Sequence, residues 1–191
     1  MLRVMLVDNY VERTAPLKQS LTEAGYEVIA QLTDTVNLDD AVSKLQPDIV
    51  IIDTESPSRD TLEHIIVMSQ NTPRPVVMFT HDGDTGKMRL ATRAGVCAYV
   101  VGTVPDERLK PVINAAIVRF EEYSALRTEL EEAHLKLSER KVIERAKGLL
   151  MKQRGVDEDE AYSLLRNMAM SQNTRLAVLA EQVLQAAKLL L

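Results

Sequence analysis

The sequence predicts an α/β fold with a five-stranded parallel, doubly wound sheet, followed by a helical coiled-coil connector and a small three-helix C-terminal domain. Three observations support this prediction. Short apolar runs alternate with helix-length segments in the first part of the chain, a long segment without glycine or proline follows, and three amphipathic patterns end the chain. These patterns divide the chain into domains at 1–120, 121–138 and 139–191.

The composition indicates a folded protein without a disulfide or zinc framework. The chain has 191 residues, of which 46% are apolar, with one cysteine and three histidines. No uncharged apolar run is long enough to cross a membrane, and the N-terminus lacks the apolar core of a signal peptide. We therefore expect a cytoplasmic protein with no membrane partner.

The charge is distributed unevenly along the chain. Residues 136–191 contain 10 Lys/Arg and 7 Asp/Glu, a net charge of +3. Residues 1–135 contain the other 13 Lys/Arg and 21 Asp/Glu, a net charge of −8, so the whole chain carries −5. The two ends of the chain are therefore predicted to face different partners.

The α/β part is predicted from five apolar runs and the segments between them. The predicted strands are 4–7, 28–30, 49–52, 76–79 and 98–101, and the predicted helices are 15–24, 38–45, 61–70, 87–94 and 107 onward. Gly25 and Gly95 follow two of these helices as expected C′ residues. Asp60 or Thr61 is the expected N-cap of the third helix.

Polar residues follow three of the predicted strands. Asp8 and Asn9 come after the first strand, Asp53 after the third and Thr80 after the fourth. In open parallel sheets the binding site lies outside the carboxyl ends of the strands, so we expect these side chains to share one site.

These residues, by type, order and spacing, resemble a receiver domain of the two-component response-regulator family, a flavodoxin-like fold, over about 1–120. The resemblance implies that Asp53 is a phosphoacceptor and that Asp8 and Asn9 stand where an acidic pair binds Mg²⁺. It also implies that Thr80 bonds the phosphoryl oxygen and that Tyr99 is the aromatic residue that rotates with it.

Two positions depart from the family pattern. Asn9 replaces the second acid, and Gly102 stands where the family has a lysine after the fifth strand. Because phosphoryl transfer depends on positive charge at the transferring oxygens, both changes weaken that chemistry. Asp53 is either a phosphoacceptor or a carboxylate that now serves packing and partner binding, and the departures favour the second interpretation. We expect no cofactor, and Asp8 with Asp53 is only a weak Mg²⁺ candidate.

The connector carries an apolar seam with the 3,4,3,4 spacing of a left-handed coiled coil. The apolar seam consists of Tyr123, Leu126, Leu130, Ala133 and Leu137. This spacing predicts a homodimer, although the same residues would also suit packing on another part of the chain.

The C-terminal domain begins with a helix over 139–155 that has one packing side and one basic side. Lys141, Arg145 and Lys152, with Gly148 among them, form a basic row at spacing i, i+4, i+7, i+11. The row either binds a polyanion or is a solvated face. A second helix opens with the acidic cluster 157–160, and Asn173 or Thr174 is the expected N-cap of a third.

The segments RKVIERAKGLLM, EAYSLLRNMAM and SQNTRLAVLAEQV look like the ANTAR domain, an RNA-binding module of bacterial transcription antiterminators. With SPSRDTLE, PVVMFT and AGVCAYVV, the whole chain is similar to the NasT type of nitrate- and nitrite-assimilation regulator. The resemblance implies that the domain binds two hexaloop stem-loops in leader mRNA and prevents formation of a terminator hairpin. It also implies a nitrate- or nitrite-sensing regulatory protein as partner.

Polar and basic side chains of this domain are candidates for RNA contact. We expect the basic row to bind phosphates, and Gly148 to permit close approach. The loop residues Gln172, Asn173, Thr174 and Arg175 are candidates for base edges or backbone, and capping is the alternative for Asn173 and Thr174. Arg166 is a structural arginine or an RNA contact.

The competing hypothesis is a phosphorylation-dependent response regulator with a DNA-binding or protein-interaction output. The acidic start of the second C-terminal helix does not suit a DNA recognition helix. No catalytic set of Ser/His/Asp, Cys/His or phosphate-loop type is present, so no enzymatic activity is expected.

Overall fold

The computed structural model describes residues 1–8 and 11–189 and confirms the predicted fold class. The strands are β1 (Arg3–Asp8), β2 (Glu27–Leu32), β3 (Ile49–Thr54), β4 (Val76–Thr80) and β5 (Val96–Val101). The helices between them are α1 (Val11–Glu23), α2 (Leu38–Leu45), α3 (Arg59–Asn71) and α4 (Thr85–Ala94). They are followed by α5 (Asp106–Arg154), α6 (Glu158–Ser171) and α7 (Leu176–Leu189).

The five strands are parallel and lie in the order β2-β1-β3-β4-β5. The central strands are apolar along their length because helices cover both faces of the sheet. One face packs on α2, α3 and α4, with Leu38, Ile65 and Ala91 in its core. The opposite face packs on α1 and the first part of α5, with Leu21 and Ile113 buried.

The chain divides into two compact units, Met1–Ser124 and Ala125–Leu191. The division falls within α5, which runs through the predicted junction at 138/139 without a break. In the second unit, the C-terminal part of α5 packs with α6 and α7 around a small core. The buried residues of that core are Ala146, Leu150, Ala161, Leu165, Ala169, Leu179 and Ala180.

Helix ends agree with the predicted glycine signals and correct two predicted N-caps. Gly25 has φ +86°, and the N–H groups of Gly25 and Tyr26 donate to the Thr22 and Leu21 carbonyls, the two bonds that close a Schellman motif. The N-cap of α3 is Ser58, whose side chain accepts from the Thr61 N–H, so the prediction of Asp60 or Thr61 was wrong. The hydroxyl of Ser58, two residues before Asp60, is at the right distance to accept from the N–H of Thr61, the third residue of the helix.

Asn173 and Thr174 end α6, so the prediction that either residue caps the start of α7 was wrong. Asn173 has φ +49°, and its N–H donates to the Met170 carbonyl at 3.2 Å. The Thr174 N–H donates to the Ala169 carbonyl at 3.0 Å, which completes a Schellman motif. Asparagine tolerates the left-handed conformation that this motif requires. Helix α7 begins at Leu176.

No helix in the described part of the chain combines the length and the apolar character needed to cross a bilayer.

Candidate functional site

The carboxyl ends of the strands bring the two predicted acidic residues together. Asp8 and Asp53 pair directly in the register of β1 and β3, and Asp8 is buried. Thr80 pairs with Thr54 at the end of β4, one position beyond Asp53. Asn9 lies outside the described residues. The sheet therefore places Asp8, Asp53 and Thr80 at one edge, as their positions after the strands predict.

Hydrogen bonds to backbone carbonyls already occupy the Thr80 and Tyr99 hydroxyls. The Thr80 hydroxyl donates to the Glu55 carbonyl at 2.7 Å and accepts from the Asp82 N–H at 3.2 Å. The Tyr99 hydroxyl donates to the Asp82 carbonyl at 2.9 Å. For Thr80 to donate to a phosphoryl oxygen, it would first have to give up its bond to Glu55.

A lysine that sequence reasoning missed lies beside this network. The Lys87 ammonium, from the first turn of α4, donates to Asp82 Oδ2 and to Ser56 Oγ, each at 2.7 Å. Ser56 Oγ also donates to Asp82 Oδ2, at 2.6 Å. The hydrogen bond from Lys87 is the main cause that lowers the pKa of Asp82 well below its usual range. No sequence signal reveals this cluster, because Ser56 is distant in the chain and Asp82 precedes the helix.

A cleft lies next to Asp53, where phosphoryl transfer would require positive charge. It has a volume of about 360 Å³, and its polar lining includes Asp53, Thr80, His81 and Asp106. Among the described residues no lysine or arginine lines it. Gly102, in the position of the family lysine, borders the cleft with φ +84°, a backbone conformation that a lysine would adopt only with strain.

The described residues supply part of a Mg²⁺ site. Asp8 and Asp53 offer carboxylate oxygens, the ligand type that Mg²⁺ prefers. Asp8 and Asp53 each take part in other interactions, and no group of three or more metal-ligating side chains occurs among the residues that the structure describes.

The Lys87–Asp82 ion pair should affect how the melting temperature of the protein falls in acid. Because the folded state lowers the pKa of Asp82, its ionised form stabilises the fold above the unfolded pKa of about 4, and this contribution is lost as the pH falls through the folded value. Lys87→Met should therefore reduce the steepness with which the melting temperature falls between about pH 5 and pH 2. Calorimetry of the full chain across this range measures the effect.

Arg93→Met, on the exposed side of the same helix, is the matched control because Arg93 makes no ion pair in the described part of the chain. It should retain the acid dependence of the original protein. Equal slopes for Lys87→Met and the original chain would show that the pair does not contribute to acid stability.

The basic row lies on the exposed side of α5 in the second unit. Lys141, Arg145, Gly148 and Lys152 are all exposed, and no ion pair involves the three cations within the described ranges. A side chain at Gly148 would meet nothing within 4 Å. The row is therefore open to a ligand, whereas Ala146 and Leu150 turn the other side of the helix to the core.

The loop between α6 and α7 lies on a different side of α5 from the basic row. The Arg175 guanidinium lies 3.6 Å from the Glu139 carboxylate, which is half-buried. Glu139 and Lys141 are two residues apart, and at about 100° per residue they point to opposite sides of the helix. The predicted RNA-binding residues therefore form two separate groups within one unit, and Gln172–Arg175 do not extend the row.

Lys147 is a second lysine that sequence reasoning missed, and its role is structural. It is only 7% exposed, and its ammonium lies 2.9 Å from Glu144 and 2.7 Å from Glu158. The hydrogen bond to Glu144, followed by the one to Glu158, raises the pKa of Lys147. The pair with Glu158 ties the first turn of α6 to α5. The sequence signal that could have indicated its burial is the position of Lys147 next to Ala146, which packs in the core.

Arg166 and Tyr162 lie one turn apart on the outer side of α6, and both are exposed. Tyr162 is 42% exposed, so its side chain is partly packed. Arg166 makes no ion pair with the described residues, so the alternative of an interhelical structural arginine has no contact to support it.

Within the described part of the chain, the side chains of the apolar seam of α5 lie largely open to solvent. Most of its side chains are more than half exposed, as follows: Tyr123 67%, Leu126 63%, Leu130 58% and Leu137 51%, and Ala133 is also exposed. A soluble protein rarely leaves a row of large apolar side chains open without a partner.

Two family models match separate parts of the chain. The model of the response regulator receiver domain matches residues 4–114, and the model of the ANTAR domain matches residues 131–184. The transcriptional regulatory protein PdtaR of Mycobacterium tuberculosis is 31% identical over 183 residues, which covers 96% of this chain and 89% of that protein.

Two further matches cover parts of the chain. A nitrate regulatory protein of Klebsiella oxytoca is 35% identical over 79 residues, which are 41% of this chain and 19% of that protein. The crystal structure of a receiver domain of a modulated diguanylate cyclase from Desulfovibrio desulfuricans superposes with a TM-score of 0.57 at 22% identity. The superposition covers 64% of this chain and 99% of the Desulfovibrio domain, and it supports the fold alone.

Proposed function

Because this chain belongs to the response-regulator family in which a receiver domain is followed by an ANTAR domain, we propose that it is a non-enzymatic transcription antitermination regulator that binds tandem stem-loops in leader mRNA. The observation that carries the proposal is the basic row of α5, which is exposed and unpaired among the described residues. An uncompensated line of cations on a helix suits a phosphate backbone.

The row and the loop would make different kinds of contact with RNA. Lys141, Arg145 and Lys152 bind phosphates, and Gly148 lets the backbone of the RNA approach the helix. In this proposal, Gln172–Arg175 and Arg166 contact base edges or backbone elsewhere on the RNA. Because the loop lies on another side of α5, the two groups contact different parts of the transcript.

A second copy of the chain is the proposed partner of the apolar seam. Side chains at 3,4,3,4 spacing, more than half exposed, are what a two-stranded coiled coil buries. Two ANTAR domains in one dimer match two hairpins in one leader, so dimerisation raises affinity through effective concentration. The division into a receiver-like domain 1–120, a connector 121–138 and an RNA-binding domain 139–191 belongs to this proposal.

Control of RNA binding comes from a partner protein and not from phosphorylation of Asp53. The absence of lysine and arginine from the described lining of the cleft and the engaged Thr80 hydroxyl both support this part of the proposal. The partner is a nitrate- or nitrite-sensing regulatory protein that binds the free and RNA-competent states with different affinity. The nitrate link has the support of the Klebsiella relative, whose match is much shorter than that of PdtaR.

A gel-shift experiment tests the proposed function. The full chain is titrated against a two-hairpin RNA and against duplex DNA, each with and without acetyl phosphate and Mg²⁺. We expect RNA binding that weakens with salt and does not change with the phosphodonor. Preference for duplex DNA, or binding only after addition of acetyl phosphate, would instead support a phosphorylation-dependent regulator with another output.

Gly148→Ala separates RNA binding from stability. Alanine in the middle of an exposed helix should stabilise the second unit by about 0.5–1 kcal/mol, because nothing lies near the new methyl group. The same methyl group should weaken RNA binding several-fold if a phosphate approaches the helix at this point. Thermal unfolding and filter binding measure the two effects.

Ser163→Ala, on the exposed side of α6, is the matched control because it also raises helix propensity without touching the row. It should leave RNA affinity unchanged. If Gly148→Ala also binds RNA with the original affinity, Gly148 is not part of the interface.

A further inference from the structure

Tyr162 is the aromatic side chain that residues 139–191 offer to a ligand. This segment of the sequence contains no phenylalanine, tryptophan or histidine. The Tyr162 side chain is 42% exposed, whereas its neighbours in α6 that pack in the core, Ala161 and Leu165, are fully buried. Its hydroxyl makes no hydrogen bond within the part of the chain that the structure describes. Much of this side chain is therefore available to a partner.

Arg166 lies one helical turn beyond Tyr162 and enlarges this surface. The two residues are four apart on α6, the spacing at which side chains of a helix are neighbours. Arg166 is exposed and has no ion-pair partner among the described residues. A phenol ring and a guanidinium group are both planar, and both stack on nucleobases. We call these two side chains the stacking platform.

The stacking platform begins near a contact with α5 that lies next to the basic row. Glu158, Tyr162 and Arg166 follow one another at intervals of four residues along one strip of α6. At the start of this strip, Glu158 Oε1 lies 2.7 Å from the Lys147 ammonium, and Lys147 directly precedes Gly148 in α5. Four residues advance only about 6 Å along a helix. One stem-loop can therefore contact both the row and the platform.

From these observations we infer that the stacking platform binds an unpaired base of the RNA loop, while the basic row binds phosphates. Bases in hairpin loops are free of a pairing partner, so their faces are open to aromatic and guanidinium groups. The inference rests on the proposed RNA binding and adds a site for a nucleobase. The row cannot supply such a site, because contacts to phosphate position an RNA without reading its bases.

A selected stem-loop RNA is the probe for this site. It has six unpaired loop nucleotides and is chosen, from a pool with randomised loops, for binding to the original full chain. If no RNA in the pool binds, the proposed function fails and this inference fails with it. If one binds, the variants below test the stacking platform separately from RNA binding as such.

Tyr162→Leu should lower the affinity for this stem-loop about tenfold, because stacking on the ring is lost. The salt slope should stay the same, since no charge is removed, whereas loss of cations from the basic row makes the slope shallower. Leucine suits a helix and replaces a side chain that is only partly packed, so the melting temperature should be retained. Filter binding across a salt series and thermal unfolding measure these quantities.

Conservative variants distinguish stacking from a structural role. Tyr162→Phe keeps the ring and should bind within about twofold of the original chain. Arg166→Lys keeps the charge but loses the planar group, so it should bind several-fold more weakly with the original salt slope. If Tyr162→Leu binds the stem-loop as tightly as the original chain, the stacking platform does not bind RNA, although the proposed function stands.

Replacing the loop bases tests the contact from the side of the RNA. A stem-loop with abasic loop nucleotides should bind the original chain at least about tenfold more weakly. On that RNA Tyr162→Leu should cause no further loss, because both changes remove the same contact. A second tenfold loss on the abasic RNA would show that Tyr162 acts elsewhere, and the inference would be wrong.

A single tryptophan reports the stacking directly. The chain contains no tryptophan, so Tyr162→Trp introduces one indole at the stacking platform. A base stacked on the indole quenches its fluorescence, and the selected stem-loop should lower the emission at least about twofold. The matched control is Leu90→Trp, at a position on α4 of the first unit that is 53% exposed, and its emission should not change. Unchanged emission from Tyr162→Trp in the complex, or equal quenching at both positions, would overturn the inference.

Discussion

Replacing Lys141, Arg145 and Lys152 together with alanine should lower the affinity for two-hairpin RNA on the order of a hundredfold at about 0.1 M salt. Each phosphate contact releases counterions, so three lost contacts should make the plot of log affinity against log salt shallower by about two units. The three side chains are exposed and make no ion pair among the described residues, so the fold should not change. Filter binding across a salt series measures both quantities.

The matched control removes three exposed cations from the first unit. Lys44→Ala, Arg89→Ala and Arg93→Ala change the net charge of the chain by the same amount but lie on α2 and α4. This variant should retain the original affinity and salt slope. A similar loss in both variants would mean that total charge, and not the basic row, attracts the RNA.

Leu165→Ala should destabilise the second unit by about 2–5 kcal/mol, the usual cost of truncating a fully buried leucine. Leu165 lies at the centre of the small core formed by α5, α6 and α7. A core of this size leaves little stability in reserve, so the unit should unfold in part at moderate temperature and lose RNA binding. Calorimetry of the full chain should show a separate, lower transition for this unit.

Met170→Ala is the control for that substitution because Met170 is on the same helix but largely exposed. It should shift the free energy of unfolding by less than about 0.5 kcal/mol and leave RNA binding intact. An equal effect of the two variants would show that burial in this core does not hold the unit together.

Much of the fold was predictable because it depends on local patterns. Apolar runs located all five strands, and Gly25 marked the end of α1 by the backbone angle that only glycine adopts easily. Helix ends were less predictable where several capping residues compete. Ser58, Asp60 and Thr61 are all suitable N-caps by type, and the geometry of the loop after β3 selected Ser58.

The candidate sites show the same limit. The positions of Asp8 and Asp53 directly after predicted strands indicated that they would share one site, because parallel strands end at one edge of the sheet. The role of Lys87 was not predictable, since it depends on contacts with Ser56 and Asp82 that no spacing indicates. Lys147 and Lys141 have the same residue type and lie in the same helix, yet one is buried between two carboxylates and the other is exposed.

The sequence by itself determined the order of strands and helices, the apolar seam and the basic row, because these are periodic patterns that one helix or strand displays without reference to the rest of the chain. Only the tertiary structure decided which cations remain exposed, that the Thr80 hydroxyl bonds to the Glu55 carbonyl, and that the Gln172–Arg175 loop lies apart from the row. Those outcomes depend on contacts between residues far apart in the chain, where packing and charge pairing in three dimensions choose among side chains of the same type.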